Sequence, residues 1–286
     1  MNYALDALWW KLTTPAVRDL ASLLTAPPLW HSGRELDVRT LLGERGFRYL
    51  LTLDDNPQPL QDYLAKHAPF GRRLGLYAEQ LLAFWFSHAP HAQLLAHNLT
   101  VVSDGITLGA ADFVVMLDDT PYHIELTCKY YGSDNGHPDT PHGLNHQDRL
   151  RDKAAKLPQQ MMLLKFSDGL NTLKTQNLPL DIQPVSIMRG IGFFPEDLTA
   201  FKPPLNPYGW RGLYLNDWQS YRFDQPEARY HLLERMNYLA PARVTEADTL
   251  NREAVQQIDS GLIAVLELRP DGYWHEVLRI MKDTAA

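Results

Sequence analysis

LTVVSDGITLGAADFVVMLDDTPYHIELTCKYY, residues 99–131, sets three charged side chains inside two apolar runs. Asp112 interrupts the run from Ile106 to Leu117, and Glu125 and Lys129 interrupt the run from Tyr122 to Tyr131. Charged side chains are rare in central strands unless they are paired or hold a metal. Two carboxylates followed by a lysine on neighbouring strands are the parts of a magnesium-dependent phosphodiester-cleaving site. The same pattern also fits a strand pair with an internal ion-pair network, and both readings stand at this point.

The punctuation of the stretch sets its geometry. Asp104-Gly105 is a two-residue hairpin signal between strands at Leu99–Val102 and Ile106–Leu117, the second interrupted near Gly109. Asp118–Pro121 is a second turn, leading to a strand at Tyr122–Tyr131. Residues two apart in a strand share a face, so Glu125, Thr127 and Lys129 point one way and Ile124, Leu126 and Cys128 the other. A tight second turn brings Asp112 beside Glu125. Two close carboxylates repel, which raises their affinity for a divalent cation. Lys129 then assists the attacking water or stabilises transition-state charge.

Working outward, the preceding helix spans Leu74–Ser87. Arg73, Gln80 and Ser87 mark a narrow polar stripe, and Leu74, Leu76, Leu81, Leu82, Phe84, Trp85 and Phe86 cover most of the rest. Glu79 lies off that stripe and faces the core or a cavity; its simplest structural role is pairing with Arg73. Upstream, residues 2–25 read as one or two helices, with Pro15 in the first turn of the second and Thr13 or Thr14 capping it. A short strand is expected at Phe47–Leu51 and a helix near Pro59–His67. Downstream come a polar loop over 132–145, a basic helix from His146 to Lys156, a strand at Met161–Phe166 and a linker over 167–181. Val185–Phe194 and Leu262–Leu268 read as strands and Glu227–Leu239 as a helix, while NPYGWRGLYLNDW, residues 206–218, is turn-like and aromatic.

The 286 residues are 45% hydrophobic and 21% charged, enough for one large domain or two small ones. The single cysteine, Cys128, excludes a disulfide framework and cysteine-based zinc sites and suggests a reducing compartment. The start lacks a signal-peptide pattern and no stretch reaches membrane-span length, so a cytoplasmic protein with no membrane partner is expected. The net charge of −7 argues against non-specific coating of nucleic acid but leaves room for a local basic groove.

Seven of the eleven histidines fall between His88 and His146. His142 and His146 have the i, i+4 spacing that holds zinc on a helix, with His137 before them; loop histidines without a ligand are the competing explanation. His123 reads as sharing the neighbourhood of Glu125 without its face. Tyr208, Trp210, Tyr214 and Trp218 suit base stacking or a satellite hydrophobic cluster.

The order helix with Glu79, strand, strand with Asp112, strand with Glu125 and a lysine, then helix, resembles the restriction-endonuclease-like or PD-(D/E)XK nuclease core over about residues 71–166. PAVRDLASLLTAPPL, LGLYAEQLLAFWF, NLTVVSDGITLGAADFVV, HIELTCKYY and NHQDRLRDKAAKL resemble an uncharacterised bacterial family, domain of unknown function 1853, over most of the chain. The nuclease resemblance implies Asp112 and Glu125 as metal ligands, Glu79 as a helix-borne carboxylate, and Gln147 and Arg149 at the start of the following helix, near the phosphates; Lys153 joins them in substrate binding. Two departures stand out. Ala111 replaces the proline before the aspartate, and Thr127 occupies the lysine position, with Lys129 two residues further and about 13 Å from Glu125 between Cα atoms.

The expectation is therefore an α/β (α+β) protein with a mixed central sheet flanked by helices. It divides into an N-terminal helical lead-in over 1–70, a PD-(D/E)XK-like core over 71–166 and a C-terminal extension over 167–286. The expected activity is hydrolysis of DNA or RNA with Mg2+ or Mn2+, by a chain that forms homodimers. The alternative is a non-catalytic nucleic-acid- or protein-binding module on a degenerate nuclease scaffold, and a histidine-based metalloprotein is the third reading.

Overall fold

A computed structural model of the chain describes residues 11–284. It resolves into two compact units, each discontinuous in sequence. The first takes the described residues up to Cys128 and returns for Lys153–Arg189, and the second takes Lys129–Asp152 and the described residues from Gly190 onward. Both combine helices with strands, so the chain is mixed α/β, as its pattern of elements predicts.

The first unit opens with α1 (Pro15–Thr25), α2 (Val38–Leu42), α3 (Gly46–Asp55), α4 (Gln58–His67) and α5 (Leu74–His88). Pro15 occupies the first turn of α1, where its missing N–H costs nothing. Thr14 takes the cap position, but its own side chain makes no capping bond. The Asp54 carboxylate accepts the Thr13 and Thr14 N–H groups instead, at 2.9 and 2.8 Å. Tyr77 of α5 donates to Asp19 of α1 at 2.9 Å. Residues 2–10, part of the expected N-terminal helices, lie outside the described residues.

Three strands follow: β1 (Ala92–Ser103), β2 (Ile106–Leu117) and β3 (Thr120–Gly132). Asp104 and Gly105 both adopt positive φ, 48° and 79°, which matches the right-handed twist of a two-residue hairpin. Ser103 pairs with Ile106, and the register slips where Val101 faces Gly109 and Val102 faces Thr107. The turn into β3 is tighter than expected, because Leu117 already pairs with Thr120 across Asp118-Asp119. After β3 the chain forms α6 (Leu150–Met162), α7 (Ser167–Thr175) and β4 (Gln183–Phe194). Val101, Ala111 and Val114 from the hairpin bury against Leu164, Leu173 and Ile182.

Several local expectations are overturned. Phe47–Leu51 belongs to helix α3: Leu50 and Leu53 are buried while Phe47 and Leu51 are exposed, a helical rather than alternating period. The basic helix starts at Leu150 rather than His146, and Met161–Phe166 is no strand. Leu157, Met161 and Leu164 bury one helical face that runs from α6 into a 3-10 turn at Leu163–Lys165. The expected linker over 167–181 contains α7, held by buried Leu173. Gln80, expected on a polar stripe, is buried and accepts the Tyr63 hydroxyl at 3.4 Å.

The second unit holds β5 (Arg211–Leu215), β6 (Arg229–Leu232), β7 (Arg243–Val244), α8 (Arg252–Val255), β8 (Gly261–Leu268) and β9 (Trp274–Lys282). The end of β4 pairs in parallel with β5, and β5 in parallel with β9. Antiparallel β8 and β6 follow, and β7 also pairs with β9. Glu227–Leu239 is thus not a helix. Arg229–Leu232 pairs with Ile263–Leu266, buries Tyr230 and exposes Leu232, so pairing overrides the local pattern. No helix among the described residues is long and apolar enough to cross a membrane.

In this unit the chain re-enters β4 at Gly190, whose φ is 135°, and a Cβ there would collide with the Lys129 carbonyl oxygen. Only glycine satisfies both constraints. Gly190→Ala should destabilise the protein by about 3 kcal/mol or more, from backbone strain plus overpacking. Urea denaturation of the purified variant checks this, and a midpoint equal to that of the parent would refute the assigned backbone.

Candidate active site

Asp112, Glu125 and Glu79 converge in the first unit. The β2–β3 ladder pairs Leu117 with Thr120 through Phe113 with Ile124, and one further step sets Asp112 opposite Glu125. At that step the ladder is replaced by a side-chain bond: the Leu126 N–H donates to Asp112 Oδ2 at 2.8 Å. On β1, the rungs His97↔Phe113 and Leu99↔Ala111 put Asn98 across from Asp112 on its other side. Asn98 has φ 53°, left-handed for a non-glycine residue within a strand, and its side chain bonds to Glu79 of α5. Strain of this kind is held only where the surroundings over-determine the backbone.

Glu125 is almost fully buried, and so is His123, whose Nε2 lies 2.8 Å from Glu125 Oε1. His123 therefore shares the face of Glu125, contrary to the sequence expectation, as a two-residue period requires. Thr127 completes that face. Its Oγ1 and His123 Nδ1 are buried without a hydrogen-bond partner among the described residues. Buried polar atoms are normally satisfied, so these two mark a place where water or a ligand belongs.

The electrostatics record the crowding. Burial, followed by the charge of Glu125, pushes the Asp112 carboxyl up to about 7; the Leu126 N–H opposes this, Glu79 adds to it, and the Lys153 ammonium opposes it. Glu79 is also raised, chiefly by burial and further by Glu125, with Asn98 pulling the other way. Three carboxylates that repel one another can hold a shared proton or a cation.

The remaining expected site residues divide. Lys153, in the first turn of α6, acts on Asp112 through its charge and donates to Gln160 Oε1 at 3.1 Å. Lys129, in the second unit, is held by both oxygens of Asp148 at 2.8 and 2.7 Å, and Tyr131 donates to the same carboxylate at 2.9 Å. Gln147 and Arg149, also in the second unit, are exposed and precede α6. The Gln147 N–H donates to Asn145 Oδ1 at 3.1 Å and Arg149 Nε to the His146 carbonyl at 3.3 Å. Sequence reading did not single out Asn98, because a short polar residue in a strand carries no signal until its φ is known.

A family model described as "Domain of unknown function (DUF1853)" matches residues 18–281. No curated protein and no solved structure matches the chain.

The raised Asp112 carboxyl has a stability consequence. In the folded chain it keeps its proton to about pH 7, against about pH 4 when unfolded. The folded state binds more protons across that window, so the contribution of this group is full below about pH 4 and is lost as pH rises through about 7. Asp112→Asn keeps an oxygen for the Leu126 N–H and removes the charge. In chelator, it should melt several degrees above the parent near pH 8 and show a flatter fall between about pH 4 and 7. Melting scans across this range are the check, and a variant that melts below the parent near pH 8 would contradict the assigned repulsion.

Proposed function

The chain belongs to the DUF1853 family, and we propose that it is a divalent-metal-dependent nuclease with a PD-(D/E)XK-like core, hydrolysing phosphodiester bonds in DNA or RNA. The observation that carries this reading is the convergence of Asp112, Glu125 and Glu79 beside buried, unsatisfied Thr127 Oγ1 and His123 Nδ1. An internal ion-pair network would join each carboxylate to a cation; here burial and the charge of Glu125 disfavour ionisation of Asp112, as in a cation-binding pair.

The donor set fits Mg2+ or Mn2+, which take oxygen ligands. Asp112 and Glu125 would hold the ion and Glu79 would act through a water. A bound ion supplies a Lewis acid and an activated water at the phosphate. The chain's own residues do the rest. His123 fixes the rotamer of Glu125, and the Leu126 N–H fixes that of Asp112. Asn98 orients Glu79. Thr127 offers a hydroxyl on the same strand face. Lys153 brings a positive charge within electrostatic reach of Asp112, which suits a phosphate drawn to the same place. In this reading Lys153 is the working cation, and Lys129 supports Asp148. Gln147 and Arg149, being exposed, remain candidates for contacts to the nucleic-acid backbone.

A non-catalytic binding module keeps one specific argument: Thr127 stands where the core motif has its lysine. Cleavage decides between the two. The purified chain with Mg2+ or Mn2+ should cut single- or double-stranded DNA or RNA, and Asp112→Ala or Glu125→Ala should lower the rate by about 100-fold or more. Lys153→Ala should lower it more than Lys129→Ala. Calorimetry that finds no Mn2+ bound at the carboxylates would end the nuclease reading, and nucleic-acid binding that survives Glu125→Ala with no cleavage in the parent would establish the module.

A further inference from the structure

A second set of donors lies in the second unit and has no part in the carboxylate site. His142, His146 and Asp283 each place one ligand atom within 4.8 Å of the others. We propose that these three residues form a zinc-type transition-metal site.

Three observations build it. The first is the donor set itself: two imidazoles and a carboxylate are what Zn2+, Co2+ or Fe2+ select, whereas Mg2+ prefers oxygen. The second is spacing. His146 Nε2 lies 3.1 and 3.0 Å from the two oxygens of Asp283, and ligands about 2.0–2.1 Å from a tetrahedral zinc stand roughly 3.3 Å apart. His142 Nδ1 lies 3.9 Å from Asp283 Oδ2, so an ion would draw this third ligand inward by side-chain adjustment. The third is the support around each ligand. The Asp283 side chain is only 2% exposed, and Tyr214 donates to its Oδ2 at 3.1 Å. His142 Nδ1, which faces Asp283 Oδ2 at 3.9 Å, also lies 3.0 Å from the Gly143 carbonyl oxygen, a contact that holds the ring beside the carboxylate.

The backbone holds these residues in place before any ion arrives. His142 exchanges both backbone bonds with Gly132, at 2.8 and 3.0 Å, and the Leu150 N–H closes on the Pro141 carbonyl at 3.0 Å. The Asp283 N–H donates to Leu215 O at 2.9 Å. Lys282 Nζ donates to the Asn216, Asp259 and Asp283 carbonyls, which pins the end of β9. Three protein ligands leave a fourth position for water or substrate, as in catalytic rather than structural zinc sites. Tyr214, which touches Asp283, also lines a groove of about 1170 Å³ in the same unit, beside Asp134 and Asn216.

The test titrates the chelator-stripped full chain with Zn2+ by calorimetry and with Co2+ by visible absorption. Asp112→Asn serves as the background, so that the carboxylate site does not contribute. One equivalent of Zn2+ should bind, Co2+ should give the intense bands of a four- or five-coordinate ion, and His142→Ala and His146→Ala should each weaken binding at least tenfold. Tyr214→Phe should weaken it less. Circular dichroism shows whether each variant is folded, and His146→Gln repeats the test should the alanine variant not fold. Failure of the parent to bind Zn2+, or binding unchanged in folded variants of both histidines, overturns the site. Neither result bears on cleavage at Asp112 and Glu125.

Discussion

The repulsion between Asp112 and Glu125 is the constraint on which the first unit depends. Two carboxylates across one step of a ladder, one of them almost completely buried, are tolerated only if everything around them is fixed. Two-residue turns at both ends of β2 supply that fixity. The first needs Asp104 and Gly105 at positive φ, and the second closes between Leu117 and Thr120. A slip of one residue in either hairpin would turn Asp112 or Glu125 to the opposite face and leave an apolar side chain in its place. The Leu126 N–H, turned from the ladder to Asp112, and His123, set against Glu125, then hold the two carboxylates where their charges oppose.

Much of this geometry was legible because strand arithmetic is short-ranged. A period of two, two turn signals and the position of three charges were enough to align Asp112 with Glu125. The strong apolar cover of α5 was enough to bring Glu79 toward them. Bulky side chains on nearly all sides leave a helix little freedom in where it packs, so its one carboxylate went where the sheet needed it. By the same arithmetic His123, two residues from Glu125, shares its face.

What stayed hidden depends on partners distant in sequence. Phe47–Leu51 and Met161–Phe166 are short apolar runs that fit either period, and only burial of Leu50 with Leu53, and of Leu157 with Met161 and Leu164, selects the helix. Arg229–Leu232 is a strand because β8 offers it an edge, more than thirty residues later. Lys129 shows the same limit at a single side chain. Its place on the strand was right, but Asp148, in a loop with no readable structure, determines what its ammonium does. Asp283 could not have been joined to His142 and His146 from spacing, because the chain brings them together across more than 130 residues.

Lys153 gains its meaning from that outcome. The proposed nuclease reading asks for a positive charge near the paired carboxylates, and a strand lysine two residues after Glu125 is one way to supply it. Thr127 removes that option, and Asp148 engages the nearest substitute on the strand, Lys129. A helix that starts four residues later than its charge pattern suggests puts Lys153 in its first turn, and the charge that reaches Asp112 comes from there. A lysine on a helix needs no particular strand parity, only a stem long enough to extend over the carboxylates. On the proposed reading the requirement is for a charge at a place and not for a residue at a number, which Lys153 can meet, while Thr127 stays the specific argument for the non-catalytic alternative.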